Sequence, residues 1–307
     1  MATVVRAPAA TDALDLIDGV VYADVFDSAA TFAELKRYAR VPVAAEEVRE
    51  RLEDPAVVPL VRERRGLYCL VGREALLEGR AEAEERAQRL EQRALSVARW
   101  LRHVPFVRGL ILTGSAAAGA AKRGSDVDLL VVVEDGRLSF VFAVLGSLSR
   151  LASRRLFCPN HYLSVGHLEV PRRDLYVARE VAQAKRLAGP ADLAAANDWI
   201  ADLLPNAFAD SAPGPPLRGG GVLQRMLELP LRGRLGDRLE LRLGRLALAR
   251  LDAHHRLWGA GVPAEAIERL EAGAELRFHA QPTARSALDR YEERRAELAE
   301  RLARQPT

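Results

Sequence analysis

Two very apolar runs, Val107 to Thr113 and Val127 to Val133, bracket a segment of small residues from Gly114 to Gly124. The runs read as strands and the bracketed segment as a turn leading into a helix, so the middle of the chain is expected to be α/β. The first strand delivers Gly114 and Ser115 into the turn. A residue without a Cβ lets the backbone approach a ligand there, and the helix that follows opens with unpaired N–H groups. Such a site favours an anion such as a phosphate, and the Ser115 hydroxyl adds a donor. In the second strand Asp126 and Asp128 stand two residues apart and share a face, while Val127, Leu129 and Val131 point to the other. Two carboxylates aimed at one small volume repel one another, and a divalent cation between them removes that cost while bridging to phosphate oxygens. Paired metals serve phosphoryl or nucleotidyl transfer in the same way. The bland alternative, acids at a strand mouth by chance, accounts less well for the spacing and for both flanking strands. No G-x-G-x-x-G and no G-K-[ST] is present to support a Rossmann or P-loop reading.

With strand, Gly114-Ser115, Gly119, Ser125, Asp126, Asp128 and the Leu129 to Val133 run in that order, the segment resembles the nucleotidyltransferase superfamily of DNA polymerase β, especially its small prokaryotic members. The resemblance extends from about Val107 to Leu204. It implies an α/β (α+β) nucleotidyltransferase core with a short mixed sheet. It also implies that Gly114, Ser115 and Ser125 contact a nucleoside triphosphate, and that Asp126 and Asp128 hold Mg²⁺ or Mn²⁺. The reaction implied is transfer of an NMP from an NTP to an acceptor, which the sequence does not identify and which could be RNA, protein or a small molecule. The family usually adds a third carboxylate from a later strand. Here the strand expected over Leu156 to Ser164 offers Asn160 and His161 instead, and Glu169, just beyond it, is the third candidate. That departure supports a second reading, a catalytically weak, nucleotide-sensing DNA-binding regulator, and a third is the nucleotidyltransferase of a toxin or antitoxin module.

Residues 1–80 read as a winged-helix-like domain, with helices over Leu16 to Phe26, Thr31 to Ala39 and Ala44 to Leu52, then a hairpin turning at Arg65-Gly66. That order permits DNA binding. The acids Glu46, Glu47 and Glu50 on the third helix make an interaction or structural role the better expectation. Residues 81–204 form the transferase domain, entered through a charged helix from Glu78 to Arg102 with an apolar stripe at Leu90, Ala94, Val97 and Leu101. Asp174 to Arg186 and Asp192 to Leu204 read as helices. Residues 205–307 begin with a linker containing Pro213-Gly-Pro-Pro and Gly219-Gly-Gly and continue as helices over Leu223 to Trp258, Ala264 to Ala274 and Ala284 to Ala303. This helical region could close over the active site or form the face of a homodimer. Arginines along Leu223 to Arg250 suggest an acceptor track. The alternative is a packing helix that buries Leu227, Leu231, Leu235, Leu239, Leu243 and Leu246.

Composition narrows the remaining options. Hydrophobic residues at 49% and charged residues at 28% are those of a folded globular chain rather than a disordered one. A net charge of +3 does not mark a dedicated nucleic-acid binder, and all but three of the 45 basic residues are arginine, so arginine counts alone carry little weight. The only cysteines, Cys69 and Cys158, have no metal-ligand spacing and suit a reduced compartment. No apolar run is long enough to span a membrane, so the expected location is cytoplasmic.

Overall fold

The computed structural model describes residues 10–152, 156–209, 216–257, 259–278 and 281–304. Residues 213–215 of the expected linker and Trp258 lie outside the described residues.

The N-terminal part contains α1 (Ala10–Leu16), α2 (Asp18–Val25), β1 (Ala30–Thr31), α3 (Phe32–Tyr38), α4 (Ala45–Leu52), β2 (Val61–Arg64) and β3 (Leu67–Leu70). The helix expected over Leu16 to Phe26 is α2, and α1 precedes it as an added element. α3 starts on a capping box, with Thr31 and Glu34 satisfying each other's backbone N–H groups. The hairpin forms with Val61 opposite Leu70, and Arg65 and Gly66 both take positive φ, as a two-residue turn of this kind needs. The added strand β1 pairs with β3.

The long α5 (Ala75–Leu101) leads into β4 (Val107–Leu112), the single turn α6 (Gly114–Ala117), β5 (Asp128–Val133), α7 (Leu138–Ala152), β6 (Cys158–Ser164), α8 (Leu175–Gln183), β7 (Lys185–Ala188), α9 (Leu193–Ala196) and α10 (Ile200–Leu203). α11 (Gly221–Glu228), α12 (Arg234–Leu257), α13 (Ala264–Glu271), β8 (Glu275–Arg277) and α14 (Gln281–Ala303) complete the chain. The main sheet has the order β7-β4-β5-β6-β8, with β5 and β6 parallel and the other neighbours antiparallel. The whole is a mixed α and β architecture with flanking helical regions.

Burial on both sides explains the continuous apolar character of the central strands. Leu129, Val131 and Val133 enter a core shared with α5 and α7, whereas Leu130 and Val132 enter the opposite core with α2, α8 and α14. Asp128 stands at the start of β5, in step with Leu130 and Val132, and so belongs to the α8 side of the sheet.

Several elements differ from expectation: the helix expected over Asp192 to Leu204 is two short helices, α9 and α10, and the one expected from Leu223 to Trp258 is broken between α11 and α12. The helix expected to run to Arg186 stops at Gln183, because Ala184 turns extended (ψ 138°) and Lys185–Ala188 then pairs with β4 as an edge strand. In the C-terminal region Glu275–Arg277 is a strand on β6 rather than a connection. The packing reading of the arginine-rich stretch holds in part, with Leu231, Leu239 and Leu243 half-buried. Its inward contacts are Gly236, Ala247, Leu251 and His255, while Leu227, Leu235 and Leu246 are exposed and Leu241 is 74% exposed. No helix among the described residues is long and apolar enough to cross a membrane.

One buried carboxylate joins three parts of the chain. Asp18 on α2 is fully buried and accepts hydrogen bonds from Arg179 Nη2 on α8 (2.9 Å), from Arg295 Nη1 on α14 (2.8 Å) and from the Tyr291 hydroxyl. The Arg179 guanidinium, itself buried, lies 4.2 Å from the Tyr22 ring centroid and 4.4 Å from that of Tyr38. Removing one partner of such a group leaves an uncompensated buried charge, which costs about 3–5 kcal/mol. Asp18→Asn is therefore expected to lower the stability measured by urea unfolding by that amount. An unchanged midpoint would show that the cluster is not a structural node.

Candidate functional site

The site is assembled where β4 ends and β5 begins. Gly114 has φ +67°, and a Cβ placed on it would come 2.6 Å from Asp128 Oδ2. Glycine is required there twice over, for the left-handed backbone and for the close approach of the carboxylate. The Thr113 N–H donates to the Asp128 carbonyl (3.0 Å), which fixes the turn against the strand. Ser115 Oγ donates to Ser125 Oγ (3.1 Å), and Ser125 Oγ also accepts from the Lys122 N–H (3.0 Å). The loop from Gly114 to Ser125 is thereby closed by its own two serines.

Asp126, Asp128 and Cys158 each present a ligand atom, all within 4.8 Å of one another. The two aspartates thus converge as their spacing suggested, and Cys158 joins them because β6 lies parallel to β5 with Cys158 opposite Asp128. Asp128 is half-buried, and burial, then the charges of Asp126 and Glu180, push its carboxyl up to about 7. The hydrogen bond from Asn160 Nδ2 to Asp128 Oδ1 (2.6 Å) opposes that rise. Asn160 Oδ1 is buried with no hydrogen-bond partner. Two carboxylates and a vacant amide oxygen suit a hard divalent cation, for which the soft Cys158 thiol is a poor ligand.

The expected third carboxylate is not where the sequence suggested. β6 runs parallel to β5, so Glu169, beyond the C-terminal end of β6, emerges at the opposite end of the strands from Asp128, exposed and paired with Arg173. Glu169 is therefore corrected as a site residue. His161, the other polar residue of that strand, is buried and bonded through Nε2 to Glu275 Oε1 (2.8 Å) on β8. Instead, Glu180 on α8 faces the site. It is held by the Tyr176 hydroxyl (3.2 Å) and by Arg277 Nη2 (3.0 Å), and its charge acts on Asp128. No motif announces Glu180. Only the helical position of α8 across the sheet face brings it in.

A cavity of about 400 Å³ begins at Gly114, Ser115 and Ser125 and runs beneath α2 and α8, within the size of ligand sites generally. A much smaller one of about 20 Å³ borders Thr113, Asn160 and Glu180.

Asp128 at the start of β5 and Asp126 just before it thus stand beside a Gly-Ser turn, on a mixed sheet covered by helices. In agreement, the family model of the nucleotidyltransferase domain matches residues 96–193, about a third of the chain. That segment is a nucleotidyltransferase domain of the polymerase-β-like superfamily. No curated protein and no solved structure matches the chain.

The raised Asp128 carboxyl has a consequence for stability. In the unfolded chain this group loses its proton near pH 4, whereas in the folded protein it keeps it to about pH 7. Between those values the folded state binds more protons, so stability falls as pH rises through the window and the deficit persists above it. Asp128→Asn, which removes the charge, is expected to stabilise the metal-free protein at pH 8 by roughly 1–3 kcal/mol, with the gain vanishing towards pH 4. Urea unfolding of both proteins across pH 4–8 measures this. A gain independent of pH would contradict the buried, repelled carboxylate.

Proposed function

We propose that the chain transfers a nucleoside monophosphate from an NTP to an acceptor. The observation that supports this most directly is the convergence of Asp126 and Asp128 immediately beside the Gly114-Ser115 turn. Asp126 and Asp128, with Asn160 Oδ1 at hand, would hold Mg²⁺ or Mn²⁺, which when bound neutralises phosphate charge and aligns the phosphates for in-line displacement. Gly114 and Ser115 receive the β- and γ-phosphates, and Ser125 holds Ser115 in register for them. The acceptor's nucleophile bonds to the α-phosphorus as the bond to the β-phosphate oxygen breaks, and pyrophosphate leaves towards the turn. The acceptor's proton passes to Glu180, which takes the role expected of Glu169. The ion pair with Arg277 orients Glu180 for that task.

Titration calorimetry with Mg²⁺ and each NTP is expected to show binding by the wild type and none by Asp126→Asn/Asp128→Asn. Equal binding by both proteins would rule the assignment out. Glu180→Gln is expected to retain NTP binding and lose transfer by about 10²-fold or more, the usual contribution of a general base. Incubation of the wild type with α-labelled NTPs and total cell extract then distinguishes acceptors, with label in RNA, label in protein, or no label if the domain only senses nucleotide.

A further inference from the structure

The 400 Å³ cavity has two walls of different origin. One is the phosphate side of the transferase, Gly114, Ser115, Ala118, Ala120 and Ser125. The other is α2 of the N-terminal part, which presents Gly19, Tyr22, Ala23 and Phe26 at helical spacing. Tyr22 is buried, but Phe26, at the C-terminal end of α2, remains half-buried, so part of its ring is left for a ligand. The two rings support each other at 5.2 Å between centroids, tilted by 43°.

Phe26 is held in place from both sides. Asp24 is paired with Arg73 (2.7 Å) and Arg294 (3.1 Å), and Asp27 with Arg73 (2.8 Å). Asp27 also meets Lys122 of the phosphate loop at 3.5 Å. Below, the buried Arg80 bonds Ser28, the Ala29 carbonyl and Glu34, and its Nη2 would lie 3.4 Å from a Cβ on Gly119 in that loop. The aromatic wall and the phosphate loop are therefore built against each other. The wall is apolar, aromatic and rigid, and begins where the triphosphate of an NTP would end. Those are the properties of a stacking platform for a planar base.

We propose that the N-terminal part is the nucleobase wall of the transferase site, with the NTP base stacked on Phe26 and Tyr22 backing that ring. The proposal rests on the nucleotidyltransferase reading and adds to it the part of the chain that binds the nucleoside. It also gives the region expected to be a winged helix a role that needs no DNA.

Tripolyphosphate separates the two ideas, because it fills the phosphate side and has no base. Titration of the full chain with Mg²⁺ and either the tightest-binding NTP or tripolyphosphate is expected to show NTP binding weakened about ten- to a hundredfold by Phe26→Ala, the range for loss of one base–aromatic stack. Tripolyphosphate binding should be unchanged, and Phe26→Trp should restore NTP affinity. Equal NTP affinity in wild type and Phe26→Ala overturns the base wall while leaving the transferase reading standing. An equal loss for both ligands overturns it as well, since Phe26 would then act on the fold of the loop. Wild type that binds neither ligand overturns the proposal together with the reading beneath it.

Discussion

The architecture turns on the buried ion pair between Asp18 and Arg179. Taking either charge out of water is costly, and the cost is offset by the partners each group finds: Asp18 by Arg179, Arg295 and Tyr291, and Arg179, whose Nε stays without a hydrogen bond, by Asp18 and two tyrosine rings. Those partners come from α2, α8 and α14, so the pair can form only when the N-terminal helices, the transferase core and the C-terminal helix are all seated. It also decides what the site looks like. Arg179 is adjacent to Glu180 on α8, and the same helix that reaches Asp18 with one residue turns the next towards Asp128.

The catalytic end of the sheet shows the opposite economy. Asp126, Asp128 and Glu180 crowd negative charge into a partly desolvated volume, and the protein supplies only partial relief through the Asn160 amide and the Arg277 guanidinium. By contrast, Glu228 lies against Arg108, Arg232 and the Phe106 N–H, which hold its carboxyl down at about 2 despite burial. A carboxylate placed for stability is surrounded by donors, as Glu228 is. Asp128 is left short of them, which is the pattern expected of a group that serves a ligand, as proposed for it above.

What the sequence made legible follows from this distinction. β4 and β5 were readable because burial on both faces forces an uninterrupted apolar pattern, and the Asp126 and Asp128 pair was readable from its spacing at the mouth of β5, although β5 itself begins only at Asp128. The hairpin was announced by Arg65-Gly66. β7 and β8 were not visible, since Lys185–Ala188 and Glu275–Arg277 are short edge strands whose charged residues carry no alternation, and only the neighbouring strand makes them strands. Glu169 was proposed by proximity in sequence. Because β5 and β6 are parallel, proximity to the end of β6 means distance from the start of β5, and the carboxylate near Asp128 arrives instead from a helix with no motif around it. The exposed leucines of α12 were misread because a leucine stripe specifies a buried face only where a partner surface exists to bury it.

The acidic α4 fits the same picture. Glu46, Glu47 and Glu50 would repel a phosphate backbone, and α4 buries only Val48 against its neighbours. The surface that the N-terminal part turns towards the transferase is not α4 but α2, where Tyr22, Ala23 and Phe26 line the cavity, while Gly19 lets α3 come close, since a Cβ there would lie 3.0 Å from the Glu34 carbonyl oxygen. The cavity that α2 shares with the Gly114-Ser115 turn is the structural basis of the base wall proposed above. The geometry of the cavity, rather than the order of helices and hairpin, is what ties the first part of the chain to the chemistry of the second.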